Sequence, residues 1–92
     1  MLGIRLRELR EQQGLFLREV AAYLEMDTAM LSKMEREERK AQREHVVKLA
    51  KYFKVEQKSL LVLWLSDRIN EIVEEEQVAK EALELSLGSY KK

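Results

Sequence analysis

Residues 17–35 read LREVAAYLEMDTAMLSKME, and they predict two short helices joined by a tight turn. Val20, Ala21 and Leu24 form one apolar stripe of the first helix, because residues three and four positions apart lie on the same helix face. The pattern then breaks. Asp27 can cap the second helix, since its side chain can accept a hydrogen bond from a free backbone N–H group.

The second helix of this pair has two faces of different character. Leu31 and Met34 point to one side and predict its buried face. The opposite face carries small, hydrogen-bonding or cationic side chains and nothing large and apolar. These side chains are Thr28, Ala29, Ser32, Lys33 and Arg36. A helix with such an outer face is suited to entering the major groove of DNA.

The helix pair resembles the helix-turn-helix domain of phage-repressor-like (Cro/C1, XRE-type) bacterial regulators. The resemblance rests on the small Ala21 at a close helix crossing, on Met26 after the turn and on Leu31 ten residues beyond Ala21. It also rests on the run SKMER at residues 32–36, and it covers roughly residues 1–63. The alternative is a helical bundle in which this outer face is only solvated.

Composition limits the class of protein. The chain has 92 residues, no proline and three glycines, and its abundant Leu, Glu, Lys, Arg and Ala favour helix. It contains no cysteine, which excludes disulfides and thiolate metal sites. No apolar run reaches the length of a membrane span, and no signal peptide is recognised at the start. We therefore expect a soluble, cytoplasmic protein of one all-α domain.

The net charge of zero hides an unequal distribution along the chain. Residues 1–55 carry 12 Lys and Arg against 9 Asp and Glu, a net charge of +3. Residues 56–92 carry 5 against 8, a net charge of −3. A basic first half beside an acidic second half fits a polyanion-binding head and a separate assembly segment.

The first helix is predicted over residues 4–13, and Gly14 can end it in a left-handed turn. Its predicted apolar positions are Ile4, Leu6 and Leu9. Arg10 lies near the core-facing side of this helix. The resemblance implies that Arg10 pairs with Glu35, near the end of the recognition helix. The alternative is an ordinary surface arginine.

The chain departs from the family pattern in two places. Family members usually begin the second helix with a Ser, Thr or Asn cap and then a glutamine that contacts phosphate, whereas this chain has Phe16 and Leu17. Arg18 is a candidate for that contact; the alternative is that it is only solvated. Glu37 stands where the family typically has glycine, so either Glu37 adopts a strained left-handed conformation or the helix runs on. Glu37 and Glu38 also oppose DNA binding by their charge.

A fourth helix is predicted over residues 42–53. Its core stripe consists of Val46, Leu49, Ala50 and Phe53. The resemblance brings the start of this helix near DNA phosphates. The predicted phosphate-contacting residues are Arg18, Arg36, Arg39, Lys40, Gln42 and Arg43. The predicted base-contacting residues are Thr28, Ala29, Ser32 and Lys33.

The remainder of the chain is strongly apolar. Residues 60–65 are apolar around the whole circumference of a helix, so one small domain cannot cover every side. Residues 56–75 predict one long helix, or two helices with a kink between them. A further amphipathic helix is predicted over residues 77–87, ended by Gly88 and followed by a frayed tail at residues 89–92.

Pairing of two copies is the predicted role of this apolar region, because two-fold helix-turn-helix dimers match palindromic operators. The alternative is an intramolecular cap that folds back onto the core. The predicted dimer-interface residues are Leu61, Trp64, Leu65, Ile69, Ile72 and Val73.

An enzyme is not expected. One histidine and no cysteine, without a glycine-rich phosphate loop, leave no set of residues that assembles into an active site. No cofactor, metal or small-molecule effector is predicted.

Together these features predict an all-α fold, with a five-helix repressor-like helix-turn-helix domain at residues 1–63. Residues 64–92 are predicted to form a C-terminal helical dimerisation or capping extension. The predicted function is sequence-specific binding of double-stranded DNA by a homodimeric transcriptional repressor or autoregulator. Similar regulators are often linked to restriction-modification or DNA-methyltransferase genes. The alternative is a protein-interaction adaptor or antitoxin-like module with weak DNA affinity, favoured by Leu17, Glu37 and Glu38.

Overall fold

The computed structural model describes residues 1–90, and within that range the chain is helical throughout with short connections. The helices are α1 (Leu2–Gln12), α2 (Leu17–Leu24), α3 (Thr28–Glu35), α4 (Arg43–Phe53), α5 (Gln57–Val73) and α6 (Ala79–Ser89). The all-α prediction is confirmed. In the described part of the chain, no helix combines the length and the apolar character that crossing a membrane requires.

One hydrophobic core lies between α1, α2, α3, α4 and the first turn of α5. Its buried members are Leu2, Leu6, Leu9, Val20, Ala21, Leu24, Leu31, Met34, Val46, Leu49, Ala50, Phe53 and Leu60. The apolar stripes predicted for α2, α3 and α4 are all buried, so these predictions are confirmed. Burial of these stripes is the main stabilising contribution, since short helices gain most of their stability from packing an apolar face.

The prediction for the first helix was wrong at its start. The helix begins at Leu2, which is 5% exposed, whereas Ile4 is 60% exposed and does not join the core. Leu2, Leu6 and Leu9 lie on one face at intervals of four and three residues, whereas Ile4, two residues from both Leu2 and Leu6, lies on the opposite, solvent side.

The first four helices end in the same way. Gly14, Glu25, Glu37 and Lys54 have positive φ values of 66°, 58°, 63° and 59°. In each case the N–H of the following residue donates to a carbonyl five residues earlier, at 2.8–3.0 Å. These are Schellman ends, which satisfy otherwise free carbonyls at the cost of a left-handed residue. Glu37 therefore adopts the strained conformation, the first of its two predicted alternatives.

For the C-terminal helices, the structure selects one of the two alternatives predicted for α5 and corrects the predicted end of α6. α5 is one continuous helix, so the alternative with a kink is not observed. Gly88 lies inside α6 and does not end it, so that prediction was wrong; a glycine within a helix costs up to about 1 kcal/mol but does not stop it. α6 continues to Ser89, and none of its residues is buried. Of the predicted tail, Lys91 and Lys92 lie outside the described residues.

Candidate nucleic-acid interface

Three residues connect α2 and α3 and fix the second helix relative to the first. The Asp27 side chain accepts a hydrogen bond from the Met30 N–H at 2.7 Å, which confirms the predicted N-cap. Met26 is half-buried against the core and anchors the turn. Leu31 and Met34 hold the inner face of α3 in the core, so the opposite face must point outward.

The outer face of α3 is open to solvent. Thr28, Ala29 and Lys33 are exposed, and Ser32 is half-buried. Within residues 1–90 the C-terminal helices do not cover this face. All four predicted base-contacting residues therefore lie together on one slim, accessible surface.

A bidentate ion pair joins the far end of α3 to α1. The Arg10 guanidinium donates to both carboxylate oxygens of Glu35, at 2.7 Å and 3.1 Å, and to the Leu15 carbonyl at 2.9 Å. The hydrogen bonds with Glu35 raise the pKa of Arg10 and outweigh the opposing effect of partial burial. The Arg10–Glu35 pair implied by the resemblance is thus confirmed, and it positions α3 against α1.

The loop between α3 and α4 is attached to the rest of the molecule at three points. The Met1 ammonium donates to the Glu37 carboxylate at 2.6 Å, and Lys40 forms an ion pair with Glu71 of α5. The Trp64 indole N–H donates to the Ala41 carbonyl at 2.8 Å. α5 and the start of α1 therefore hold the loop that carries Arg39 and Lys40.

Asp67 is a positioning residue that sequence reasoning missed. Its carboxylate accepts hydrogen bonds from the Met1 ammonium at 3.1 Å and from the Leu2 N–H at 3.0 Å. It caps α1 from another helix, where negative charge is favoured by the helix dipole. Partial burial lowers the pKa of the Met1 amino group. The interactions with Glu37 and Asp67 together raise this pKa by a larger amount, so the net shift is upward. The only sequence signal was an isolated acid inside an apolar helix.

The predicted phosphate-contacting residues are all exposed and fall into three groups. Arg18 lies at the start of α2, with its guanidinium carbon 4.5 Å from the centroid of the Phe16 ring. Arg36 follows α3 and pairs with Glu38 at 3.5 Å, and Arg39 and Lys40 lie in the loop. Gln42 and Arg43 are the N-cap and the first residue of α4.

The family model described as helix-turn-helix matches residues 6–56, which is more than half of the 92-residue chain. The chain belongs to the helix-turn-helix family. It is a DNA-binding transcription regulator of the XRE type, in a family of regulators that are not enzymes. The resemblance to phage-repressor-like regulators is confirmed. Comparison with curated proteins and with solved structures gives no match.

The helix-turn-helix match ends before α5, which contributes the predicted dimer-interface residues. Leu65, Ile69 and Ile72 are exposed, and Val73 is half-buried. The other two members, Leu61 and Trp64, pack partly against the chain's own core. Trp64 lies four residues after the buried Leu60 and therefore on the same side of α5, whereas Leu61 lies at the edge of that side.

Proposed function

We propose that this helix-turn-helix protein recognises a palindromic operator in double-stranded DNA as a homodimer and acts as a repressor or autoregulator. The observation that carries the proposal is the outer face of α3, which is slim, cationic and accessible beside three groups of exposed cations. A protein-interaction adaptor does not need an exposed, slim helix face beside exposed cations. The presence of both features therefore favours the DNA-binding function over the adaptor.

In the proposed complex α3 enters the major groove. The Lys33 ammonium donates to guanine O6 or N7, and the methyl groups of Thr28 and Ala29 meet a thymine methyl. Ser32 can donate to or accept from either base of a pair, so it contributes less to discrimination.

Phosphate contacts hold the proposed complex in register. Arg18 lies beside the free N–H groups at the start of α2, where the helix dipole favours a phosphate even though Leu17 replaces the usual glutamine. Arg39 and Arg43 reach the backbone from the loop and from α4. The acidic Glu37 opposes binding less than its charge implies, because the Met1 ammonium neutralises it.

The contrast between Lys33→Ala and Arg39→Ala tests this assignment. Lys33→Ala should lose about 1–3 kcal/mol of discrimination at one base pair, because base contacts specify sequence. Arg39→Ala should weaken binding to all sequences alike and reduce the slope of log K against log salt by about 0.9. The measurement is fluorescence anisotropy on duplexes selected from a random pool and on single-base variants of the selected site.

Absence of salt-dependent binding to any duplex at low salt would overturn the proposal in favour of the adaptor. The homodimer has its own test, the mass in solution at micromolar concentration. We expect twice the chain mass of 10.9 kDa, through an interface that includes Leu65, Ile69, Ile72 and Val73.

A further inference from the structure

α5 carries a second apolar stripe on the side that faces away from the core. The stripe consists of Val62, Leu65, Ile69 and Ile72, which are 53%, 51%, 40% and 76% exposed. Their spacing of three, four and three residues is that of a helix seam that packs against another helix. We call these four residues the outer seam of α5.

α6 is more apolar than a helix that faces only water. Its charged residues Lys80, Glu81 and Glu84 fall within about 100° of the helix circumference. The remaining arc carries Leu83, Leu85 and Leu87, which are 43%, 74% and 78% exposed. With the small residues between them, apolar and small side chains occupy an arc of about 200°, which is wider than one neighbouring helix covers.

α6 gains little helical stability from its own chain. It has 11 residues, no side-chain hydrogen bond at its N-cap and an internal glycine. Isolated helices shorter than about 12–15 residues are marginal in water. None of its residues is buried against residues 1–78 of its own chain.

We infer that in the proposed homodimer α6 of each copy packs against the outer seam of α5 of the other copy. This inference rests on the proposed homodimer and specifies how it is built. The outer seam has four residues, whereas a stable interface uses roughly 20–30 residues from each side, so α5 alone is too small. Both unpaired surfaces belong to one chain. If α6 of each copy packs on the outer seam of the other copy about a two-fold axis, both surfaces are covered. The dimer is then closed, because neither surface remains free to bind a third copy.

The resulting interface has four helices, α5 and α6 from each copy. In it α6 contacts the partner's α5 with Leu83 and Leu87, and the rest of its wide apolar arc meets the partner's α6. The charged residues of α6 stay at the solvent side. The helix-turn-helix domains remain outside this interface, because the outer seam faces away from the core.

Cysteine cross-linking in the full chain tests the exchange, since the protein has no cysteine of its own. A tagged chain with Ile69→Cys is mixed with an untagged chain with Leu83→Cys, and disulfide formation is followed by mass. We expect a cross-linked pair made of one tagged and one untagged chain. The matched control replaces Leu83→Cys with Glu81→Cys on the charged side of α6, and it should cross-link at least about fivefold more slowly.

A double variant, Ile69→Cys with Leu83→Cys, is oxidised in an excess of the unmodified chain to detect bonds within one chain. A dimeric mass with cross-links only within one chain, or with none involving residue 83, overturns the exchange and leaves the homodimer intact. A monomeric mass of the unmodified chain overturns both. The reduced variants are weighed first, and their dimeric mass shows that the substitutions preserve the interface.

Discussion

At the residue scale, Gly3 lies where α1 passes close to the backbone at the end of α3. A Cβ atom on Gly3 would lie 2.4 Å from the Met34 carbonyl oxygen and 2.7 Å from that of Glu35. Both are backbone atoms at the end of the recognition helix, so the conflict could be relieved only by moving one helix. Glycine is therefore required here by space. The predicted helix began at Ile4, and so this role could not be anticipated.

Gly3→Ala should lower the free energy of unfolding by about 2 kcal/mol, as overpacking at a close contact does. Gly88→Ala is the matched control: no atom lies within 4 Å of its added Cβ, and alanine should raise stability by about 0.5–1 kcal/mol. Urea unfolding followed by the fluorescence of the single tryptophan measures both. Equal stability of Gly3→Ala and the parent chain would show that α1 and α3 separate without cost.

At the scale of elements, the contact between α1 and α3 includes the Arg10–Glu35 pair. The two side chains are only 12% and 6% exposed. Removing one member of a buried pair leaves the other charge without a partner in a poorly solvated place. The pair therefore fixes how the recognition helix sits on the domain, in addition to the apolar contacts of Leu31 and Met34.

Arg10→Ala should lower the free energy of unfolding by about 3 kcal/mol, because Glu35 is left buried and uncompensated. Arg7→Ala is the control on the same helix. Its ion pair with Glu11 is 60% and 55% exposed, so the change should stay below about 0.5 kcal/mol. Thermal unfolding distinguishes the two, and a melting temperature within a degree of the parent for Arg10→Ala would contradict a structural role for the pair. Arg10→Met combined with Glu35→Leu should recover much of the loss.

At the scale of the whole molecule, α5 connects the proposed DNA-contacting loop to the proposed dimer interface. Its inner side reaches the loop through Trp64 and through the Lys40–Glu71 ion pair. Its outer seam points the opposite way. One rigid helix thus sets the position of the loop cations relative to the surface that would hold a second copy, and this spacing would determine the distance between operator half-sites.

Glu71→Gln should increase DNA affinity about two- to fivefold at low salt. The reason is that Lys40 no longer has to break its ion pair with Glu71 before it contacts a phosphate. The same substitution in a Lys40→Ala background should give a smaller gain. Anisotropy titrations of the four chains measure the difference. An equal gain in both backgrounds would mean that Glu71 acts through its own charge alone and does not restrain Lys40.

The sequence by itself determined the helix-turn-helix core. Three- and four-residue spacing identified the stripes of α2, α3 and α4, and Asp27 identified the start of α3, because these signals are local. The Arg10–Glu35 pair followed from the resemblance. Only the tertiary structure decided the start of α1, the need for glycine at position 3 and the attachment of the loop. These depend on contacts between residues 23 to 65 positions apart, which no local pattern contains. Likewise, the sequence showed that residues 60–65 are apolar around the whole helix, but only packing divided α5 into a side that contacts the core and a side left exposed.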